Sequence, residues 1–375
     1  MAAQTRALLS ITILSLTSLA AGCVFVIPES LTTEHFVVEE ALAPSHDAPR
    51  LPPLETRHFE KVAESDELVG EVQVIFARYE NTFAKIARAY DVGYDALRRA
   101  NPGVDDWLPG EGTPIYLPTS SILPAGPRDG IVINLPAMRL YYFDAPSERD
   151  DGEREVSITV HPIGIGREGW ATPTGEATVT EKVVDPTWYP PASVRQDHAE
   201  RGDPLPAVVP PGPDNPLGRH AMALSMPGYL IHGTNKPSGV GLRVSAGCIR
   251  LYPEDIEALF ERVPRGTKVR IVDEPVLAGW RDGELYLEVH RPLEEDERDL
   301  MEEASRVIAA ALVRAGRAGV ELDAAAIERV VEEQRGIPFP IGVASRSPAE
   351  YLAAARVIVN TVDEPRPETA AALDR

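Results

Sequence analysis

The sequence predicts a mainly β central region over 129–273, preceded by a small strand–helix–helix–strand module and followed by an α-helical region. Three observations carry this. Short apolar runs alternate with Gly- and Pro-rich stretches through the central region. Apolar residues at helical spacing sit between two strand-like runs before it, and recur at spacings of three and four after it. The chain has 375 residues, enough for two or three domains at roughly 100–200 residues each. Its 58 acidic residues outnumber 37 basic ones, for a net charge of −21. That balance argues against nucleic acid, whose phosphates need a basic surface. It is compatible with an amine or a small peptide as substrate. Two cysteines, Cys23 and Cys248, make neither a disulfide-dense scaffold nor a four-thiolate zinc site.

The amino terminus reads as an address. Arg6 is the only charged side chain before Glu29, and the apolar run Ala7–Ala21 has signal-peptide length, short for a membrane span. Leu19-Ala20-Ala21-Gly22-Cys23 resembles the bacterial lipobox, although the usual Leu position holds Ala20. Residues 1–22 are therefore expected to be removed, leaving Cys23 either lipidated or simply near a free end. An exported, periplasmic protein is expected, with a membrane lipid anchor if Cys23 is modified. Residues 23–69, with Pro28, Pro44, Pro49, Pro52 and Pro53, read as a tether.

The segment 70–119 is the small module. Val72–Phe76 reads as a strand, and Thr82 caps a helix whose Phe83, Ile86, Ala87 and Tyr90 share a face. Tyr94–Asn101 is a second helix stopped by Pro102-Gly103, and Ile115–Leu117 a closing strand. IARAYDV, ALRRANPGVDDWLPGEG and IYLP resemble a LysM module, which implies affinity for the glycan of peptidoglycan. FARYENTF departs from that family's usual Gly-Asp-Thr-Leu, so the fold is better supported than the sugar affinity.

Within 129–273, Gly130–Leu135 and Met138–Phe143 form a hairpin, and Val156–Val160 and Gly175–Thr180 are further strands. The loop Pro204–Pro216 reads as a wall of a binding site. Pro253–Val263 is the one clear helix expected here, with Pro253 in its first turn. The chemistry lies in Tyr229–Asn235 and Val244–Leu251, which carry His232 and Cys248. An imidazole can take a thiol's proton and return it to a leaving group. Backbone N–H groups at the Gly247 turn could form an oxyanion hole. Spacing alone is equally met by a buried cysteine and a satisfied core histidine.

The flanking words decide further. HGTN, followed 16 residues after its histidine by cysteine in S-x-G-C-I-R-L, resembles the YkuD-type L,D-transpeptidases of the ErfK/YbiS kind. GIVINLPAMRLYYF, Thr172-Pro173-Thr174-Gly175, WYPPASV and PGPDNPLGRHAMALS extend the resemblance over the region. It implies a YkuD-type β-sandwich with a short helix after the cysteine. It also implies that Cys248 attacks a peptidoglycan tetrapeptide stem, releases D-Ala and passes the acyl group to an amine. His232 is the implied base and acid, with Gly233, Ser245 and Gly247 shaping the site. Arg250 holds the turn or meets a substrate carboxylate. Ala246 stands where many members carry His or Ser, which leaves His232 as the sole base. No cofactor is implied. A zinc site on His220, His232 and Cys248 is disfavoured, because closed sites take four ligands. His161, His198 and His290 carry no motif.

Residues 274–293 read as a hairpin, 294–360 as helical, with helices over Glu294–Gln334 and about Ala349–Val359, and 361–375 as a disordered tail. The acceptor is a stem diamino acid or a lysine of an outer-membrane lipoprotein. The competing functions are a carboxypeptidase, with water as acceptor, and a catalytically silent wall-binding scaffold.

Overall fold

The computed structural model describes residues 44–362 except 47, 55–56, 64, 149–153 and 318. The expected signal segment, Cys23 and the tail from 363 lie outside the described residues. In chain order come β1 (His58–Ala63), β2 (Leu68–Val69), β3 (Gln73–Phe76), α1 (Phe83–Ala89), α2 (Tyr94–Ala100), β4 (Pro114–Leu117) and β5 (Ser121–Ile122). The central region holds β6 (Gly130–Asn134), β7 (Arg139–Phe143), β8 (Ser147–Glu148), β9 (Arg154–Pro162), β10 (Ile165–Gly166) and β11 (Gly175–Val184). It continues with α3 (Ala192–Glu200), β12 (His220–Leu224), β13 (Leu230–His232), β14 (Arg243–Ser245), β15 (Ile249–Arg250), α4 (Pro253–Arg262) and β16 (Lys268–Val272). Last are β17 (Val276–Arg281), β18 (Glu284–Val289), α5 (Leu300–Arg314), α6 (Ala324–Glu333), β19 (Phe339–Pro340), α7 (Pro348–Ala353) and β20 (Arg356–Val357).

The scaffold of the site is one sheet in the order β1-β9-β7-β6-β16-β11-β12-β13-β15. Residues 130–143 read as continuous apolar runs because both faces of this sheet are covered. Ile131, Ile133, Leu140 and Tyr142 enter one core, and Val132, Tyr141 and Phe143 enter another on the opposite face. The first core also takes Met222 of β12, Ile231 of β13 and Ile249 of β15. Strands from distant parts of the sheet meet that core, so the sheet is curled. The expected sandwich is therefore a single sheet curled on itself rather than two separate sheets.

Five further readings of the sequence are corrected. The tether ends before 58: β1 pairs antiparallel with β9, and β2 with β5. Phe59 and Val62 pack on the sheet's second core, a partnership about 100 residues away that local composition does not reveal. The helix α3, after Pro190-Pro191, carries no periodic signal in the sequence, because Val194 is its only buried residue and no apolar stripe results. The hairpin and the helical region after 274 are not separate units. Strand β19 adds to β17–β18, and Leu287, Ile308, Val330 and Phe339 share one core. The third C-terminal helix stops at Ala353, and Arg356–Val357 instead pair parallel with β3, as the β-branched run VIV favours. The first helix there starts at Leu300, where the Asp299 side chain accepts from the N–H groups of Met301 and Glu302.

The β3–α1–α2–β4 module has its own core of Ile75, Phe83, Ile86, Leu97 and Ile115, and Thr82 caps α1 by accepting from Lys85 N–H. Buried charges join the parts. Arg57 bridges Asp91, in the turn between α1 and α2, at 3.1 Å and Asp255 of α4 at 3.2 Å. Arg139 of β7 meets Glu288 of β18 at 2.6 Å and also donates to Ser121 Oγ and the Pro118 carbonyl. Glu288 further accepts from Ile122 N–H, and His290 Nε2 lies 2.9 Å from it.

Candidate active site

The site is built on two short parallel strands. β13 and β15 pair with Ile231 opposite Ile249 and His232 opposite Arg250. Side chains alternate between faces along a strand. Ile231 and Ile249 therefore turn to the core, where both are fully buried. Leu230, His232, Cys248 and Arg250 share the other face, with Cys248 one diagonal step from His232. The structure thus brings together the thiol, the imidazole and the guanidinium that the sequence singled out. It does not hydrogen-bond the first two: among the described residues no such bond joins Cys248 and His232. The sulfur lies 3.7 Å from the Gly228 carbonyl, and the Leu230 N–H points at it.

The turn that presents Cys248 is held by two hydroxyls. Ser245 Oγ donates to the Cys248 carbonyl at 2.6 Å and accepts from Gly247 N–H at 3.1 Å. Thr172 Oγ1 donates to the Gly247 carbonyl at 2.9 Å and accepts from Gly166 N–H at 3.0 Å. Gly247 has φ +101, and a Cβ there would stand 2.9 Å from the Tyr229 ring. Glycine is therefore required on both conformational and steric grounds. Of the turn's N–H groups, Gly247's is consumed by Ser245. The Cys248 N–H has no acceptor among the described residues, so it is the donor left open for an oxyanion. At Gly233 the missing side chain makes room for Ile256 of α4, 3.0 Å from where a Cβ would be. Thr172 is the supporting residue that spacing missed. It sits in the TPTG word, but nothing local signals a partner 75 residues on.

Electrostatically the site keeps both His232 and Cys248 uncharged. His232 is 3% exposed. Burial and the nearby Arg250 charge pull its pKa down to about 3, although the carbonyls of Gly233 and Leu217 face its ring and oppose the shift. Nδ1 lies 2.6 Å from the Gly233 oxygen. Burial pushes the Cys248 thiol up, opposed by the Leu230 N–H and by Arg250. At neutral pH the pair is thiol and neutral imidazole. Arg250 is held by its backbone, which exchanges two hydrogen bonds with Gly164. Its guanidinium has no carboxylate partner among the described residues, and its buried Nε has no hydrogen-bond partner there. It does not hold the turn through side-chain hydrogen bonds.

His220 packs against Phe260 with ring centroids 4.8 Å apart and the planes tilted by 50°. Among the described residues, the group with metal-ligand proximity is Asp91, His161 and Asp255, which does not include Cys248, and Arg57 already bridges its two carboxylates. His290 is buried against Glu288, and His198 faces Asp203 at the surface.

A buried-backed cysteine, a neutral histidine and an open amide on one sheet face define a site for thiol acyl transfer. Comparison with known proteins makes this specific. Residues 128–271 match the L,D-transpeptidase catalytic domain, and 278–341 the L,D-transpeptidase C-terminal domain. The chain is 41% identical over 282 residues to the probable L,D-transpeptidase YcfS of Escherichia coli K12, covering 73% of this chain and 85% of that one. It is 41% identical over 278 residues to the probable L,D-transpeptidase YbiS of the same strain, covering 72% and 87%. To the probable L,D-transpeptidase ErfK/SrfK of Salmonella typhimurium it is 39% identical over 283 residues, covering 74% and 89%. The chain belongs to the L,D-transpeptidase family. Members act on peptidoglycan stem peptides, and this protein is an L,D-transpeptidase.

Proposed function

We propose that Cys248 is the nucleophile and His232 the proton carrier of this reaction. The sulfur attacks the carbonyl that joins the stem's third residue to its terminal D-Ala. The C–N bond breaks, D-Ala leaves with a proton delivered through His232, and a thioester remains. An amine then attacks the thioester, and the thiol is regained. The Cys248 N–H supports the oxyanion of each tetrahedral intermediate. Arg250, a cation without a carboxylate partner on the same face, meets a substrate carboxylate. The observation that carries the reading is the shared face of Cys248, His232 and Arg250, backed by a fully buried core. His232 reaches the sulfur as substrate binds and the site tightens, because catalytic hydrogen bonds are often loose before that.

The acceptor is an amine of another stem, giving a cross-link, or a lysine of an outer-membrane lipoprotein. The β3–α1–α2–β4 order supports a LysM-like module holding the glycan, and the leader 1–22 with Cys23 supports a periplasmic, lipid-anchored enzyme. Incubation with disaccharide-tetrapeptide and mass analysis tests the chemistry. Loss of D-Ala with a protein-bound acyl group, then a dimer or a lysine adduct, is expected. Tripeptide alone would make water the acceptor. Wild-type turnover by Cys248→Ala would overturn the assignment.

A further inference from the structure

The connection between β11 and β12 runs from Asp185 to Arg219 and forms an arm closed at its base. Asp185 N–H donates to the Arg219 carbonyl at 2.7 Å, and Trp188 and Val209 exchange two bonds of 2.9 Å. Buried Asn215 clamps the base through the Pro186 carbonyl at 2.8 Å and Leu217 N–H at 2.9 Å. The Leu217 carbonyl faces the His232 ring, so the base of the arm touches the site. Further out the arm carries α3, which is poorly fastened: Val194 is its only buried residue, and no side chain caps its start.

One side chain ties this helix to the cysteine turn. Arg167 N–H donates to the Ser245 carbonyl at 3.0 Å, three residues before Cys248. Its guanidinium reaches Asp197 of α3 at 2.8 Å and lies over the Trp170 ring at 5.1 Å. The Trp170 carbonyl in turn stands 3.6 Å from the position a Cβ on Gly247 would take. Asp197 is shared with Arg201, the C-cap just past its own helix, so Arg167 is its partner on the body of the protein.

We infer that Arg167 is a positioning residue. Its ion pair with Asp197 holds the arm against the cysteine turn, and the stem peptide is gripped between arm and turn. This rests on the assignment of Cys248 and His232 as the reacting pair. The pair is partly exposed, at 32% and 24%, so its loss has a bounded effect. An ion pair of this kind is worth about a fivefold change at most.

The experiment uses the full chain. Asp197→Asn and Arg167→Met are expected to raise KM for disaccharide-tetrapeptide about fivefold, with kcat within about twofold. Alkylation of Cys248 by iodoacetamide, which needs no arm, stays at the wild-type rate. Trypsin cleaves faster after Arg195 and Arg201, both exposed on the loosened arm. Arg167→Lys recovers part of the KM effect, and the charge swap Arg167→Asp with Asp197→Arg recovers most of it. Unchanged KM and unchanged proteolysis in both single variants would overturn the inference. So would equal losses of KM, kcat and alkylation that track a fall in Tm, which would mark a role in folding alone. A wild-type protein without turnover would instead count against the assignment of the reacting pair, and the proteolysis would still test the latch.

Discussion

Thr172→Val is the sharpest probe of how Cys248 is held. Valine keeps the shape of threonine and replaces its hydroxyl with a methyl group. Thr172 is 6% exposed and makes two buried hydrogen bonds, to the Gly247 carbonyl and from Gly166 N–H. Neither of those backbone groups has another partner among the described hydrogen bonds. The substitution therefore strands one donor and one acceptor, at about 1–3 kcal/mol each. The expected loss is about 2–6 kcal/mol, or a fall in Tm of roughly 4–24 °C at about 2–4 °C per kcal/mol. The turn also loses the anchor that aims Cys248, and turnover drops between about tenfold and a hundredfold, as for a small misplacement of a reacting group. Thr172→Ser is the control: it keeps both bonds and gives up one methyl group, at about 0.8 kcal/mol. Thermal unfolding and release of D-Ala are the two assays. A valine variant with wild-type Tm and turnover would refute the reasoning, as would a serine variant as damaged as the valine one.

Three other outcomes are expected. The rate of Cys248 alkylation should rise with pH through a midpoint above the ordinary thiol value near 8.5, because burial opposes the thiolate. Arg250→Met removes an attracting cation and should move that midpoint higher; a midpoint below 8 in the wild type would contradict the neutral pair. His232 titrates near 3 when folded against an unfolded value near 6.5, so the unfolded chain binds the extra proton between those values. Stability should therefore fall as pH drops from about 6.5 toward 3, by up to about 1.4 kcal/mol per pH unit, with a shallower slope for His232→Gln in chemical denaturation. Arg139→Met leaves Glu288 charged and fully buried without its cation, at a cost of about 3–5 kcal/mol. The double variant Arg139→Met with Glu288→Leu should regain much of that in the same denaturation assay, and no regain would argue against the pair as the cause.

The legible parts of the sequence were those with local signals. The hairpin of β6 and β7, the helix at Pro253 and the capped helix at Thr82 each declare themselves by period and cap within a dozen residues. Cys248 and His232 stand out as candidates because thiol acyl transfer uses those residue types and the words around them are distinctive. The illegible parts depend on distant partners. Arg356–Val357 become a strand only because β3, nearly 300 residues earlier, offers an open edge. His58–Ala63 look like linker until β9 supplies a ladder. Thr172 and Leu217 reach the site through a hydroxyl and a carbonyl, and no residue type advertises a carbonyl.

The same division bears on Ala246, where the family resemblance implies histidine or serine. Ala246 occupies the tip of the cysteine turn, where a histidine or serine side chain could have been taken as part of the machinery. In the structure position 246 is exposed, and the turn's bonds come from Ser245 on one side and Thr172 on the other. Ser245 ties Gly247 N–H to the Cys248 carbonyl, and Thr172 ties the Gly247 carbonyl to Gly166. Every polar group these bonds engage belongs to the backbone of 166, 247 and 248 or to the two hydroxyls. A side chain at 246 adds no bond that the turn requires. The position of the Cys248 side chain thus rests on two hydroxyls and one glycine, and alanine at the tip removes no bond from the turn.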